Sequence, residues 1–162
     1  MKIEIYSRKA MEKQLQEGPL ENTAVISFYD PPSSRTPKDY TPLDYSGKYD
    51  FVFPVGVHDI DIEILSEYGL TFETYLPEAD DLAAFIKIVC AEGMDIICQC
   101  EYGQSRSAAC AAAIREYYYS DGISIFADYR YYPNQLIFNK VLNALHAMDS
   151  KEDMHEQSNQ SN

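Results

Sequence analysis

The chain is poor in positive charge. Its 162 residues carry 13 Lys+Arg against 26 Asp+Glu, a formal net charge of −13. Nucleic acids and anionic membrane surfaces are polyanions, so this balance argues against both as partners. No apolar run approaches the roughly 18 residues of a membrane span. The opening MKIEIYSRKAMEK lacks the apolar stretch and small-residue cleavage site of a signal peptide. Histidine is scarce too, with 3 residues and no pair at ligand spacing, which disfavours the usual zinc arrangements. No internal repeat is present. The expectation is a soluble, cytoplasmic monomer that needs no metal or other cofactor.

What remains is ordinary for a globular domain: 46% hydrophobic and 24% charged residues, at a length near the roughly 150 residues of one domain with one core. Residues 1–149 read as that domain and 150–162, SKEDMHEQSNQSN, as a polar, disordered tail. Four cysteines, Cys90, Cys98, Cys100 and Cys110, crowd into one stretch. A domain of this size needs no disulfide staples, and Cys98-Gln99-Cys100 is too tight for a zinc knuckle. Reduced thiols are expected.

Along the chain, Lys2 to Tyr6 alternates polar and apolar as a half-buried strand does. Arg8 to Gln16 reads as a short helix stopped by Gly18-Pro19, and Thr23 to Tyr29 as a buried strand ended by Asp30-Pro31-Pro32. Residues 30–48 read as a long surface loop and Asp50 to Val55 as a third strand, with Pro54 near its end. Residues 56–76 show no assignable period. From about Pro77, Leu82, Phe85, Ile86, Val89 and Cys90 share one helical face, and Gly93 closes it. Asp95 to Cys100 is a fourth strand, and Ser107 to Tyr119 a helix rich in alanine that can pack closely. A last helix begins near Pro133, with Phe138, Val141, Leu142, Leu145 and Met148 on one side. Strands alternating with helices predict a single-domain α/β fold, a mainly parallel central sheet flanked by helices.

The segment with chemical content is Cys100-Glu101-Tyr102-Gly103-Gln104-Ser105-Arg106-Ser107. It follows a strand and opens a helix. Successive N–H groups in such a turn can point inward as an anion cradle, backed by the positive end of the helix dipole. Gly103 permits the backbone twist that an L-residue resists. Arg106 offers a planar fork for phosphate oxygens. Cys100 sits at the base, where amides and dipole favour its thiolate, and Ser107 is placed to donate a hydrogen bond to the sulfur. The alternative, a buried cysteine beside a helix start, leaves the glycine and the arginine unexplained.

Cys100-x5-Arg106-Ser107 resembles the phosphate-binding signature of cysteine-dependent protein tyrosine phosphatases. GQSRSAA is similar to the compact dual-specificity branch and its small bacterial and phage relatives. Pro133-Asn134-x3-Phe138-x3-Leu142 resembles the helix start that follows the signature, and Val55–Asp61 the acid-bearing loop upstream. The resemblance spans roughly residues 23–148. It implies hydrolysis of phosphotyrosine, and of phosphoserine or phosphothreonine, through a cysteinyl-phosphate. In that reading Cys100, Arg106, Asp59 and Ser107 are catalytic, and Glu101, Tyr102, Gly103, Gln104, Ser105 and Arg106 bind phosphate. The implied partner is a phosphorylated protein or another phosphoester; inositol phosphates and RNA 5′-phosphates rank lower because the loop lacks extra lysines. A phosphate-binding module without turnover is the reading from a different class.

One departure stands beside the nucleophile: Gln99 occupies the position usually held by histidine, and Gln cannot carry charge. The acid is also open to competition. Asp59 is the first choice, Asp61 shares one face with it if the loop is extended, and Asp30 follows the second strand. All three are predicted at strand C-terminal ends, where α/β sheets build sites. Cys98 reads as a core thiol, His58 as structural or as a partner steadying Asp59, and Asn134 as a tie between loops. Glu101 must turn away from phosphate or take a basic partner.

Overall fold

A computed structural model describes residues 1–160, without the side chains of 152, 153 and 155–160. Four strands form one sheet: β1 (Ile3–Ser7), β2 (Thr23–Tyr29), β3 (Val52–Gly56) and β4 (Asp95–Cys100). Their order is β1-β4-β2-β3 and every pairing is parallel. The helices are α1 (Arg8–Glu17), α2 (Ala79–Ala91), α3 (Arg106–Tyr119), α4 (Ile123–Phe126) and α5 (Gln135–Gln160), with a 3-10 turn at Ile62–Tyr68. Of the expected tail at 150–162, residues 150–160 continue α5 as helix, and 161–162 lie outside the described residues. Among the described residues no helix is long and apolar enough to cross a membrane.

The strand pleat sorts side chains into two cores. On one face, Ala24, Ile26, Phe28, Ile96, Cys98 and Cys100 pack with the buried sides of α2, α3 and α5. On the other, Val25 and Ile97 join Met11 of α1 and the rings of Tyr45 and Tyr49. The two tyrosines come from the connection between β2 and β3, so that segment is more than a surface loop: Tyr45 and Tyr49 are 7% and 8% exposed.

Alanine explains how α3 reaches the centre. Ala108, Ala109, Ala111, Ala112 and Ala113 are all fully buried, and with so little side chain the helix lies against both the sheet and α5. In α2, Leu82, Ile86 and Val89 are fully buried, while Phe85 and Cys90 sit only partly buried at the edge of that face. Pro54 falls inside β3, not at its end. The strand pairs only with β2, so as an edge strand it tolerates a residue with no N–H to donate. Residues 62–68 gave no sequence period because a 3-10 turn has none of the α-helical kind: Leu65 is buried while Ile62 is 64% exposed.

The consequence for function is positional. Ser7 pairs with Cys100, and Tyr29 with Gly56. All four strands therefore end on one edge of the sheet, which brings Arg8, Asp30, Asp59 and the 101–105 loop together.

Candidate active site

The loop after β4 is shaped from both sides. Gly103 adopts φ +66°, and a Cβ there would lie 2.6 Å from the backbone nitrogen of Ser7 and 2.9 Å from the Tyr6 carbonyl carbon. Only glycine combines that left-handed conformation with that approach. Carbonyls around the loop are tied outward. Cys100 O accepts from Gln99 Nε2 at 2.8 Å, Glu101 O from the Arg8 N–H at 3.0 Å, Gln104 O from the Tyr132 N–H at 2.8 Å and Ser105 O from the Asn134 N–H at 3.3 Å. The N–H groups of residues 102–106 find no acceptor among the described residues. Ser105 stands at the N-cap of α3, but its hydroxyl does not cap the helix; it donates to Asp59 Oδ1 at 2.7 Å. The helix start is thus left open, the arrangement that favours an anion.

Cys100 is 3% exposed, with its Sγ 3.0 Å from Ser107 Oγ. Arg106, the first residue of α3, is 4% exposed. Its Nη1 donates to Asp30 Oδ1 at 2.7 Å and to Val57 O at 2.9 Å. Its Nε is buried without a partner among the described residues. One edge of the guanidinium is clamped and a donor is left over. A buried donor without an acceptor is costly, and an anion in the loop would supply one.

The three candidate acids separate by environment. Asp59 Oδ1 accepts from Ser105 Oγ and, at 2.9 Å, from Asn134 Nδ2. Asp30 is committed to Arg106. Asp61 is exposed at the start of the 3-10 turn and makes no side-chain cap there. Asn134 is the tie between loops: Nδ2 also donates to Ile60 O at 3.0 Å, while Oδ1 accepts from the Ile137 N–H at 3.0 Å and caps α5. That cap places the helix start at Gln135 instead of Pro133.

Glu101 takes a basic partner. Its Oε2 is 3.8 Å from Arg8 Nη1, and Arg8 also donates to Thr41 O at 2.8 Å. His58 makes no hydrogen bond to Asp59 among the described residues. Its ring packs 4.9 Å from that of Tyr68, its carbonyl accepts from the Tyr75 hydroxyl at 2.6 Å, and burial pushes its pKa down. Cys98 is a core thiol; a hydrogen bond with Cys110 and complete burial hold it well above the ordinary range. Tyr102, Tyr129 and Tyr132 are strongly exposed. Among the described residues no three His, Cys, Asp or Glu side chains gather as a metal would require.

Sequence reasoning missed Arg8 as the partner of Glu101, Asp30 as the clamp on Arg106, and the Ser27–Tyr45 pair behind Gln99. Their common signal, position at a strand's C-terminal end or in the following loop, was present for Arg8 and Asp30 but does not name a partner.

No family model matches the chain, and no curated protein matches it. Among solved structures, the crystal structure of human DUSP28, a dual-specificity phosphatase, is similar over 92% of this chain and 94% of that one. The TM-score is 0.53 and the sequence identity 14%. At that identity the likeness concerns the fold alone: this chain is a single α/β domain with an all-parallel four-stranded central sheet flanked by helices.

Proposed function

We propose that the protein is a cysteine-dependent phosphatase acting on phosphotyrosine, with phosphoserine and phosphothreonine as further substrates. The observation that carries this is the set of donors beside Cys100 that have no acceptor among the described residues: five loop N–H groups and the buried Nε of Arg106. A dianionic phosphoryl group has the charge and the acceptor oxygens that such a set lacks.

The steps follow from the placement of each group. The Cys100 thiolate attacks phosphorus, forming the S–P bond as the P–O bond to the substrate alcohol or phenol breaks. Asp59 gives its proton to the departing oxygen. The loop amides and Arg106 hold the equatorial oxygens, whose charge they meet without reorganising. Asp59, now a carboxylate, takes a proton from water; the resulting hydroxide attacks phosphorus and the S–P bond breaks. Ser107, 3.0 Å from the sulfur, donates a hydrogen bond to the thiolate as it leaves. Inorganic phosphate departs, and Asp59 carries the proton for the next cycle.

The acidic surface favours modestly charged phosphoesters over inositol polyphosphates or RNA ends. The test is rapid-mixing hydrolysis of p-nitrophenyl phosphate. The expected result is a nitrophenol burst followed by steady turnover, unaffected by a chelator and abolished in Cys100→Ser. Turnover that survives in Cys100→Ser overturns the mechanism. A protein that binds phosphate with neither burst nor turnover is a binding module.

A further inference from the structure

Gln99, the residue before the nucleophile, is 3% exposed and lies on the opposite face of β4 from Cys100. Both ends of its amide are engaged. Nε2 donates to Cys100 O at 2.8 Å; Oε1 accepts from Ser27 Oγ at 2.7 Å and from the Tyr45 hydroxyl at 3.1 Å. Ser27 is its register partner on β2. Tyr45 arrives from the β2–β3 connection, with its ring edge-on to Tyr49 at 6.2 Å and packed with Met11, Val25 and Ile97. The amide can face only this way, because the flipped form would set Oε1 against the Cys100 carbonyl, acceptor against acceptor.

We propose that Gln99, braced by Ser27 and Tyr45, is a positioning residue that orients the first peptide group of the phosphate loop. The chain has no cis peptide bonds, so the N–H of Glu101 points opposite to the Cys100 carbonyl. Drawing that carbonyl toward Gln99 turns the positive end of this peptide dipole away from the Ser27–Tyr45 side. The brace carries no charge: burial pushes the Tyr45 hydroxyl up to about 12, so it stays a donor across the working range of an enzyme. A neutral tie thus stands where the resembling family usually places histidine, and it draws on a residue 54 positions away. The catalytic consequence rests on the phosphatase reading; the orientation of the Cys100 peptide does not.

The test uses the full chain and two variants. Tyr45→Phe keeps the ring and deletes one hydroxyl; Gln99→Leu removes the whole tie. On p-nitrophenyl phosphate, kcat is expected to fall about fivefold in Tyr45→Phe and about fiftyfold in Gln99→Leu, with KM changed by less than about twofold. Carbamidomethylation of Cys100 by iodoacetamide, located by peptide mapping, is expected to slow in the same order in the folded fraction of each variant. Wild-type rates for Tyr45→Phe in both assays overturn the proposal, even if Gln99→Leu fails to fold. If the native protein shows no turnover, the phosphatase reading fails, and the order of alkylation rates still decides the positioning role. If it turns over and Tyr45→Phe matches it in both assays, only the positioning role fails.

Discussion

Replacing each candidate acid by its amide separates the roles assigned to Asp59 and Asp30. Asn at position 59 keeps an oxygen to accept from Ser105 Oγ and Asn134 Nδ2, now 2.7 Å and 2.9 Å from Asp59 Oδ1. The loop therefore stays tied, and what Asp59→Asn removes is the proton. General acid catalysis contributes about 10²–10⁴-fold, or roughly 3–5 kcal/mol of barrier. That loss must grow as the leaving group becomes more basic, because a nitrophenolate departs without help and an alkoxide does not. Asp30→Asn acts differently. Nη1 of Arg106 keeps an acceptor in place of the carboxylate at 2.7 Å, so only charge assistance is lost. The difference between a charged and a neutral hydrogen bond is about 1 kcal/mol, a five- to tenfold effect that should be equal for all leaving groups. The assay is kcat/KM across nitrophenyl, phenyl and alkyl phosphates for the two variants and Asp61→Asn. A steeper dependence on leaving-group basicity in Asp30→Asn or Asp61→Asn, with none in Asp59→Asn, refutes the assignment.

Two further outcomes are expected. Gly103→Ala forces an L-residue to φ +66° with its Cβ 2.6 Å from backbone; about 2 kcal/mol of strain lowers Tm by roughly 4–8 °C and weakens competitive inhibition by inorganic phosphate, whereas unchanged Tm and inhibition would show that the loop is not held against Ser7. With a net charge of −13, kcat/KM for a dianionic aryl phosphate should rise as ionic strength is raised from low values, since salt screens the repulsion first; a steady fall from the lowest salt would mean that attraction, not repulsion, governs approach.

The strand–loop–helix unit that carries Cys100 and Arg106 was legible because it is contiguous: strand, cysteine, glycine, arginine and helix follow one another from residue 95 to 119. Local alternation and helical period likewise mark the parallel sheet and α2. What the sequence withheld is long-range. Arg106 meets Asp30 across 76 positions, and Ser27 meets Gln99 across 72; no local pattern encodes such a pair, because the sheet order β1-β4-β2-β3 creates it. The β2–β3 connection is the largely exposed loop expected over residues 30–48, but its part in a core is long-range too. Its Pro, Ser, Asp and Tyr content describes a surface loop, yet Tyr45 and Tyr49 complete a core whose other wall comes from Val25 and Ile97. The 3-10 turn at Ile62–Tyr68 lacked a period to read.

These long-range pairs also bear on how so acidic a chain can present a phosphate cradle. Glu101 and Asp30 both stand beside the loop, where an unpaired carboxylate would repel a dianion at close range. Each instead faces an arginine, Arg8 at 3.8 Å and Arg106 at 2.7 Å. The Asp30–Arg106 pair is formally neutral, while Arg8 is shared between Glu101 and Glu12, the latter 3.0 Å from its Nε; beside them the loop offers short-range donors, its amides and the Arg106 Nε, that have no acceptor among the described residues. Dipoles act over a few ångströms, whereas the surface charge acts over a Debye length of about 8–10 Å. Under the proposed function, the acidic exterior governs which phosphoesters approach, and the short-range donors of the loop govern which are held. A substrate satisfies both conditions best when its phosphate projects from a neutral or basic segment, as a phosphorylated side chain on a protein can.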